Sequence, residues 1–162
     1  MTTASTITAY LASPFGGLTI SAQGDALVSI EFVPLSADVL PAPSDPLLRE
    51  AIRQFRAYFA DPHVSFFLPW RCDSTPFRQK VWRAMLDIPP GQTLSYGDLA
   101  RDLSSSARAI GGACRANRLP ILIPCHRVLS SKGGLGGYCG GEEGPLLEIK
   151  RWLLQHEGYA LR

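Results

Sequence analysis

The run Ile121-Leu122-Ile123-Pro124-Cys125-His126-Arg127-Val128-Leu129 organises the chain. Its apolar, β-branched start predicts a buried strand. Pro124, which lacks a backbone donor and fixes φ, predicts where that strand breaks. A thiol follows the break, and an imidazole follows the thiol. A soft nucleophile beside a base at a strand end has the make-up of an activated-cysteine site. Free cysteines are more often small buried hydrophobes, so the dipeptide by itself leaves both readings open.

A chain of 162 residues can bury a core without disulfides or metals, as one domain or two small ones. With 46% hydrophobic and 19% charged residues it has the composition of a soluble globular protein. Residues 1–6 hold no basic region leading into an apolar stretch, and no apolar run is long enough to span a bilayer. A cytoplasmic protein, nucleoid-associated if bacterial, with no membrane contact is therefore expected. The four cysteines, Cys72, Cys114, Cys125 and Cys139, form no CxxC pair, which argues against a zinc knuckle; reduced thiols and no metal are expected, and separately no cofactor. The net charge of +2 is unevenly spread: residues 1–70 carry −3, residues 71–162 carry +5, and residues 76–141 alone carry +6. A basic half carrying the Cys-His stretch suits a polyanionic partner as well as a solvated basic face.

Outward from that stretch, residues 1–72 read as an antiparallel meander plus one helix. Strands are predicted at 7–11, 18–22 and 26–32, separated by Gly- and Pro-bearing turns. A loop over 34–43 follows, and Ser44-Asp45-Pro46 starts a helix ended by Asp61-Pro62. Residues 65–70 read as a last strand, and 71–74 as the domain boundary. Nothing in this half carries obvious chemistry, which leaves it a scaffold.

Residues 73–162 read as mostly helical. Thr75-Pro76 opens a helix with an apolar stripe of Phe77, Val81, Trp82, Met85 and Leu86, stopped at Pro89-Pro90-Gly91. Ser95 caps a short helix from Tyr96 to about Leu103, and Ser106 can cap another from Ala107 to about Asn117. Two short helices across a tight polar turn have the length of a helix-turn-helix. The second helix is oddly built. Arg108 opposes the helix dipole in its first turn, and Gly111-Gly112 cost about 1 kcal/mol each against alanine. Either a bare surface for close approach or tight helix packing explains the glycines. Residues 130–141 form a glycine-rich loop suited to a pocket wall. Gly144-Pro145 opens the last helix and Glu157-Gly158 closes it. Glu157, an acid at a helix C-terminus, is either a partner for a nearby cation or imidazole or a frayed exposed side chain.

Arg108-Ala109-Ile110-Gly111-Gly112-Ala113-Cys114-Arg115-Ala116-Asn117 followed by Ile121–Val128 resembles the O6-alkylguanine-DNA alkyltransferases, the methylated-DNA–protein-cysteine methyltransferases. The resemblance extends to Phe77–Trp82, Leu94–Gly97 and Trp152–Glu157, and more loosely to Ser13–Thr19. It implies an α+β protein: residues 1–72 a ribonuclease-H-like antiparallel sheet with a helix, residues 73–162 a helix-turn-helix (winged-helix-like) alkyltransferase domain.

The resemblance also implies roles. Cys125 is the acceptor that irreversibly takes the alkyl group of O6-alkylguanine, and O4-alkylthymine is a further candidate substrate. His126 draws off the thiol proton through a water, and Glu157 holds the imidazole. Tyr96 protonates the leaving guanine, Lys150 assists at the same site, and Asn117 is a hinge between helix and acceptor. Arg108 fills the gap left by a flipped base, a step required because guanine O6 inside a duplex cannot reach a buried thiol. Ser95, Tyr96, Ala107, Gly111, Gly112 and Arg115 fall on the implied minor-groove DNA contact. Pro124, Val128, Tyr138, Cys139 and Gly140 fall on the implied pocket, with the main chain of Cys125 and Val128 reading the guanine edge. The implied partner is double-stranded DNA carrying alkylated guanine, met by a monomer, with cooperative loading left open.

Two positions depart from the family pattern. Arg118 stands where proline is common, and Cys139 where serine or alanine is usual. Residues 142–145 lengthen the loop before the last helix. Cys139 is expected to be a bystander to alkyl transfer that tunes pocket size. A non-catalytic alkyltransferase-like lesion binder is the alternative reading, and Cys125 itself counts against it.

Overall fold

Caps and apolar spacing set the elements in the computed structural model, which describes residues 5–38 and 41–161. Two compact units divide the chain, residues 1–72 and 73–162. The loop expected over 34–43 is irregular where described, and residues 39 and 40 of it lie outside the described residues.

In the first unit, β1 (Thr6–Ser13), β2 (Gly16–Gln23) and β3 (Ala26–Val33) form an antiparallel meander in the order β1-β2-β3. The register sets Leu11 opposite Leu18 and Ile20 opposite Ile30, so alternate side chains share one buried face. Helix α1 (Pro46–Ala60) starts where Asp45 accepts the Leu48 N–H at 3.0 Å, and it buries Leu48, Ala51, Ile52, Phe55 and Tyr58. The strand expected over 65–70 is not formed. Only Trp70 bridges the sheet, in parallel with Leu27. The segment before it is instead held by Gln54, whose amide donates to Phe67 O at 3.2 Å and accepts from Phe67 N at 2.8 Å. Pro69, which has no N–H, limits any longer ladder.

In the second unit, Thr75 caps α2 (Pro76–Leu86) by accepting the Arg78 N–H. Val81, Trp82 and Met85 are buried, whereas Leu86, counted in the expected stripe, is 40% exposed. The two-residue strand β4 (Leu94–Ser95) leads into α3 (Tyr96–Asp102), whose N-terminus is closed by a capping box between Ser95 and Asp98. A short turn follows, then α4 (Ala107–Arg115) with Ser106 as its cap. Trp82 Nε1 donates to Ala113 O at 2.8 Å and fixes α4 against α2.

The strand expected at 121–123 is a buried turn. Ile121 has φ +74°, a conformation a β-branched residue rarely takes, and Ile123 N returns to Leu119 O at 2.9 Å. Cys125–Arg127 form one 3-10 turn, and Val128–Leu129 (β5) pair in parallel with β4. Helix α5 (Pro145–His156) closes the unit. Among the described residues no helix is long and apolar enough to cross a membrane.

Candidate active site

The turn after α4 delivers Cys125, and Asn117 shapes that turn. Its Oδ1 accepts the Leu119 N–H at 2.9 Å, while Nδ2 donates to Ile123 O at 3.0 Å and to Cys125 Sγ at 3.3 Å. Both amide hydrogens and the oxygen are thus spent on holding residues 117–125 closed around the sulfur. Cys125 is 3% exposed and lies on the wall of a cleft of about 700 Å³, a volume within the range of small-molecule sites.

Behind the sulfur lies a buried charge network. His126 is fully buried, and its Nε2 sits 3.0 and 3.1 Å from the two carboxylate oxygens of Glu157. Arg127 grips the same carboxylate from the other side, Nε at 2.8 Å and NH2 at 2.7 Å, and its NH1 donates to Ile88 O at 2.6 Å. Burial pushes the Glu157 carboxyl up, but hydrogen bonds from Arg127 and His126 overcome this and hold it well below the usual range. Burial also pushes His126 down, against the pull of Glu157. A neutral imidazole facing an ionised carboxylate carries its proton on Nε2, which leaves Nδ1 as an acceptor. That Nδ1 is buried, with no hydrogen-bond partner among the described residues.

Lys150 is fully buried too, and all three ammonium hydrogens go to carbonyls: Val128 O at 2.8 Å, Gly137 O at 2.9 Å and Leu135 O at 2.5 Å. It fastens the glycine-rich loop to β5, and burial brings its pKa down to about 8. Its Nζ stands 5.9 Å from the centre of the Tyr96 ring. Burial, then the charges of Cys114 and Cys125, push the Tyr96 phenol up, so it stays a protonated donor. Gly136 makes room for that ring: at φ +68°, a Cβ there would lie 2.9 Å from Tyr96.

The chain matches the family description "6-O-methylguanine DNA methyltransferase, DNA binding domain" over residues 76–159, and the same family's ribonuclease-like domain over 7–71. It belongs to this family. A methylated-DNA–protein-cysteine methyltransferase of Methanosarcina acetivorans is 34% identical over 156 residues, covering 93% of this chain and 97% of that protein. The constitutive enzyme of Bacillus subtilis is 44% identical over 114 residues, covering 69% and 67%. Among solved structures, the Mycobacterium tuberculosis O6-methylguanine methyltransferase superposes with a TM-score of 0.77 at 35% identity, covering 94% of this chain and 93% of that one. The same protein in complex with DNA gives 0.76 at 34% identity, covering 93% and 92%.

Within this family member, the cleft gathers Cys125, Tyr96, Tyr138, Cys139 and Gly140 with Ala107, Arg108, Gly111, Gly112 and Arg115 of α4. His126, Glu157, Asn117 and Lys150 stand behind that wall. Ser95, Pro124 and Val128 do not line the cleft. The Ser95 hydroxyl is committed to the Asp98 N–H, the Val128 carbonyl accepts from Lys150, and the Cys125 carbonyl accepts from the Val128 N–H. Glu157 is 3% exposed and partners both a cation and an imidazole, so it is neither frayed nor solvated. Arg127 received no role from sequence. Its one local signal was an arginine next to the Cys-His pair inside a stretch otherwise read as buried.

Proposed function

We propose that this protein repairs DNA by moving the alkyl group of O6-alkylguanine onto Cys125 in a single, irreversible turnover. The observation that carries the reading is the Cys125 sulfur on the cleft wall, hydrogen-bonded by Asn117 and followed directly by the buried His126–Glu157 pair. The thiol proton passes toward Nδ1 of His126, through a water, and Glu157 steadies the resulting imidazolium. The sulfur then forms the C–S bond as the O6–C bond breaks, and the electron pair stays on the guanine. Tyr96, kept protonated, supplies a proton to the departing base.

The proposed DNA contact is the exposed face of α4. A Cβ added at Gly111 or Gly112 would meet nothing within 4 Å, so packing inside the chain does not account for these glycines. A backbone surface left open beside the exposed Arg108 and Arg115 suits close approach to a groove. Arg108 is assigned to the gap left by the extruded base. Residues 1–72 are assigned a scaffolding role. Every group given a part in the transfer lies between residues 96 and 157 of one chain, so a monomer is the proposed acting form.

Intact mass decides the reading. After incubation with methylated duplex, the protein is expected to gain one methylene unit, and Cys125→Ser to bind the same duplex and gain nothing. A Cys125→Ser protein that takes up the methyl group would overturn it.

A further inference from the structure

From Asn117 to Leu129 every residue is buried except Arg118. Its backbone is fixed on both sides: Asn117 N donates to Cys114 O at 3.2 Å, and Asn117 Oδ1 accepts the Leu119 N–H at 2.9 Å. An asparagine bonded to the backbone two residues on closes an Asx-turn, and Arg118 is the corner of this one. Proline would suit such a corner by presetting φ, and arginine brings the turn no equivalent help. Its side chain serves nothing else inside the chain. Among the described residues Arg118 makes no ion pair and no hydrogen bond, whereas Arg101 is committed to Asp98 and Arg127 to Glu157. Residues 103–141 hold no acidic side chain that could balance it.

The position of the charge is set by α4. Ala116 is still in the right-handed helical conformation and Asn117 N bonds back to Cys114 O, so the winding carries on to Asn117. Arg118 stands seven residues after Gly111, as Arg115 stands seven after Arg108. Seven residues are about two turns, so each pair shares a line along the helix. The buried residues Ile110, Ala113, Cys114 and Asn117 take the opposite side. Arg115 borders the cleft: a Cβ at Gly140 would lie 3.7 Å from its Cγ, at the tip of the hairpin that Tyr138 and Gly141 close by exchanging backbone hydrogen bonds at 2.8 Å. Arg118 lies one turn beyond it and lines no cleft.

We propose that Arg118 extends the DNA contact past the end of α4, its guanidinium binding a backbone phosphate outside the flipped nucleotide. The proposal rests on the exposed face of α4 being the DNA contact. A rigid corner carrying an unpaired cation in line with that face fits a polyanion, and a phosphate contact is independent of base sequence. The competing role is internal, since a cation near a helix C-terminus also offsets the helix dipole. The two roles leave different traces. Each phosphate neutralised adds about 0.9 to the slope of log affinity against log salt concentration, whereas a dipole partner changes stability and leaves that slope alone.

Binding of wild type, Arg118→Gln, Arg118→Lys and Arg115→Gln to one undamaged duplex, measured by fluorescence anisotropy between about 50 and 200 mM NaCl, reads the slope. Arg118→Gln is expected to bind more weakly with a slope shallower by about 0.9, so that the lead of wild type shrinks about 3.5-fold across this range. Arg118→Lys is expected to keep the wild-type slope, and a duplex of different sequence to give the same differences. An Arg118→Gln slope equal to that of wild type, with or without a lowered unfolding midpoint, overturns the proposal. If Arg115→Gln is then shallower, Arg118 alone is misassigned. If it is also unchanged, the α4 face falls as well.

Discussion

Replacing Arg127 by methionine tests the buried network most directly. Two hydrogen bonds of 2.8 and 2.7 Å join Arg127 to a carboxylate that is fully buried at its side chain. At an effective dielectric of about 20, charges this close attract by roughly 4–6 kcal/mol before desolvation. Removing one partner leaves the other charged and buried, which costs about 3–5 kcal/mol. That is a large share of the total stability of a small domain. Urea unfolding of Arg127→Met, Glu157→Gln and the double variant measures the coupling, and the double variant is expected to recover at least about 1–2 kcal/mol relative to additivity. Activity moves as well. Arg127 now pushes His126 down, and without it the imidazole faces Glu157 alone and binds its proton more tightly. The acid limb of methyl transfer therefore shifts to higher pH. In the wild type, Glu157 and His126 both sit below their ordinary values of 4.5 and 6.5, so the unfolded chain binds more protons at both. Stability from these two groups is complete above about pH 6.5 and falls on acidification, first through His126 and then, below about 4.5, through Glu157. Additive single variants within about 0.5 kcal/mol, or an unmoved acid limb in Arg127→Met, would refute the reasoning.

Two further outcomes concern α4. Gly111→Ala and Gly112→Ala should each raise stability by about 0.5–1 kcal/mol in thermal unfolding, since a methyl group meets nothing there, while slowing repair of duplex. Unchanged duplex repair would remove these glycines from the DNA contact. Arg108→Ala should slow duplex repair far more than reaction with free O6-benzylguanine, which needs no base held out of a stack, and equal losses would point to a structural role instead.

Most of the helical frame was legible because its signals are local. Asp45-Pro46, Thr75-Pro76, Ser95 and Ser106 cap where they were expected to, each by a hydrogen bond to an N–H three residues on. The buried turn at 121–123 was read as a strand because full burial erases periodicity, and an apolar turn and an apolar strand then look alike. Helix α4 ends two residues early, where Asn117 leaves the helix to hold the acceptor turn. The 65–70 segment failed as a strand because its partner is a glutamine side chain in α1, a pairing no propensity encodes. The role of Arg127 was hidden for a similar reason. Its partners, Glu157 and Ile88, lie 30 and 39 residues away. The motif supplied the thiol, the imidazole and the carboxylate by resemblance, but not the arginine they share.

The two rungs that pair β4 with β5 have a consequence for how this protein can change. Leu94 opposite Val128 and Ser95 opposite Leu129 tie the residue before Tyr96 to the end of the acceptor turn by main chain alone. The gap between phenol and sulfur is thus set by a ladder that no cleft side chain belongs to. The wall is a separate part: residues 135–141 hang from it through the ammonium of Lys150 and the close fit of Gly136 against Tyr96. Substitutions at the hairpin tip can therefore reshape what enters the cleft, or the polarity it meets, while the reacting groups keep their spacing. On the proposed reading, the spacing of Tyr96 and Cys125 and the shape of the cleft wall are carried by different pieces of backbone, which leaves the wall free to drift under a new lesion spectrum without dismantling the pair.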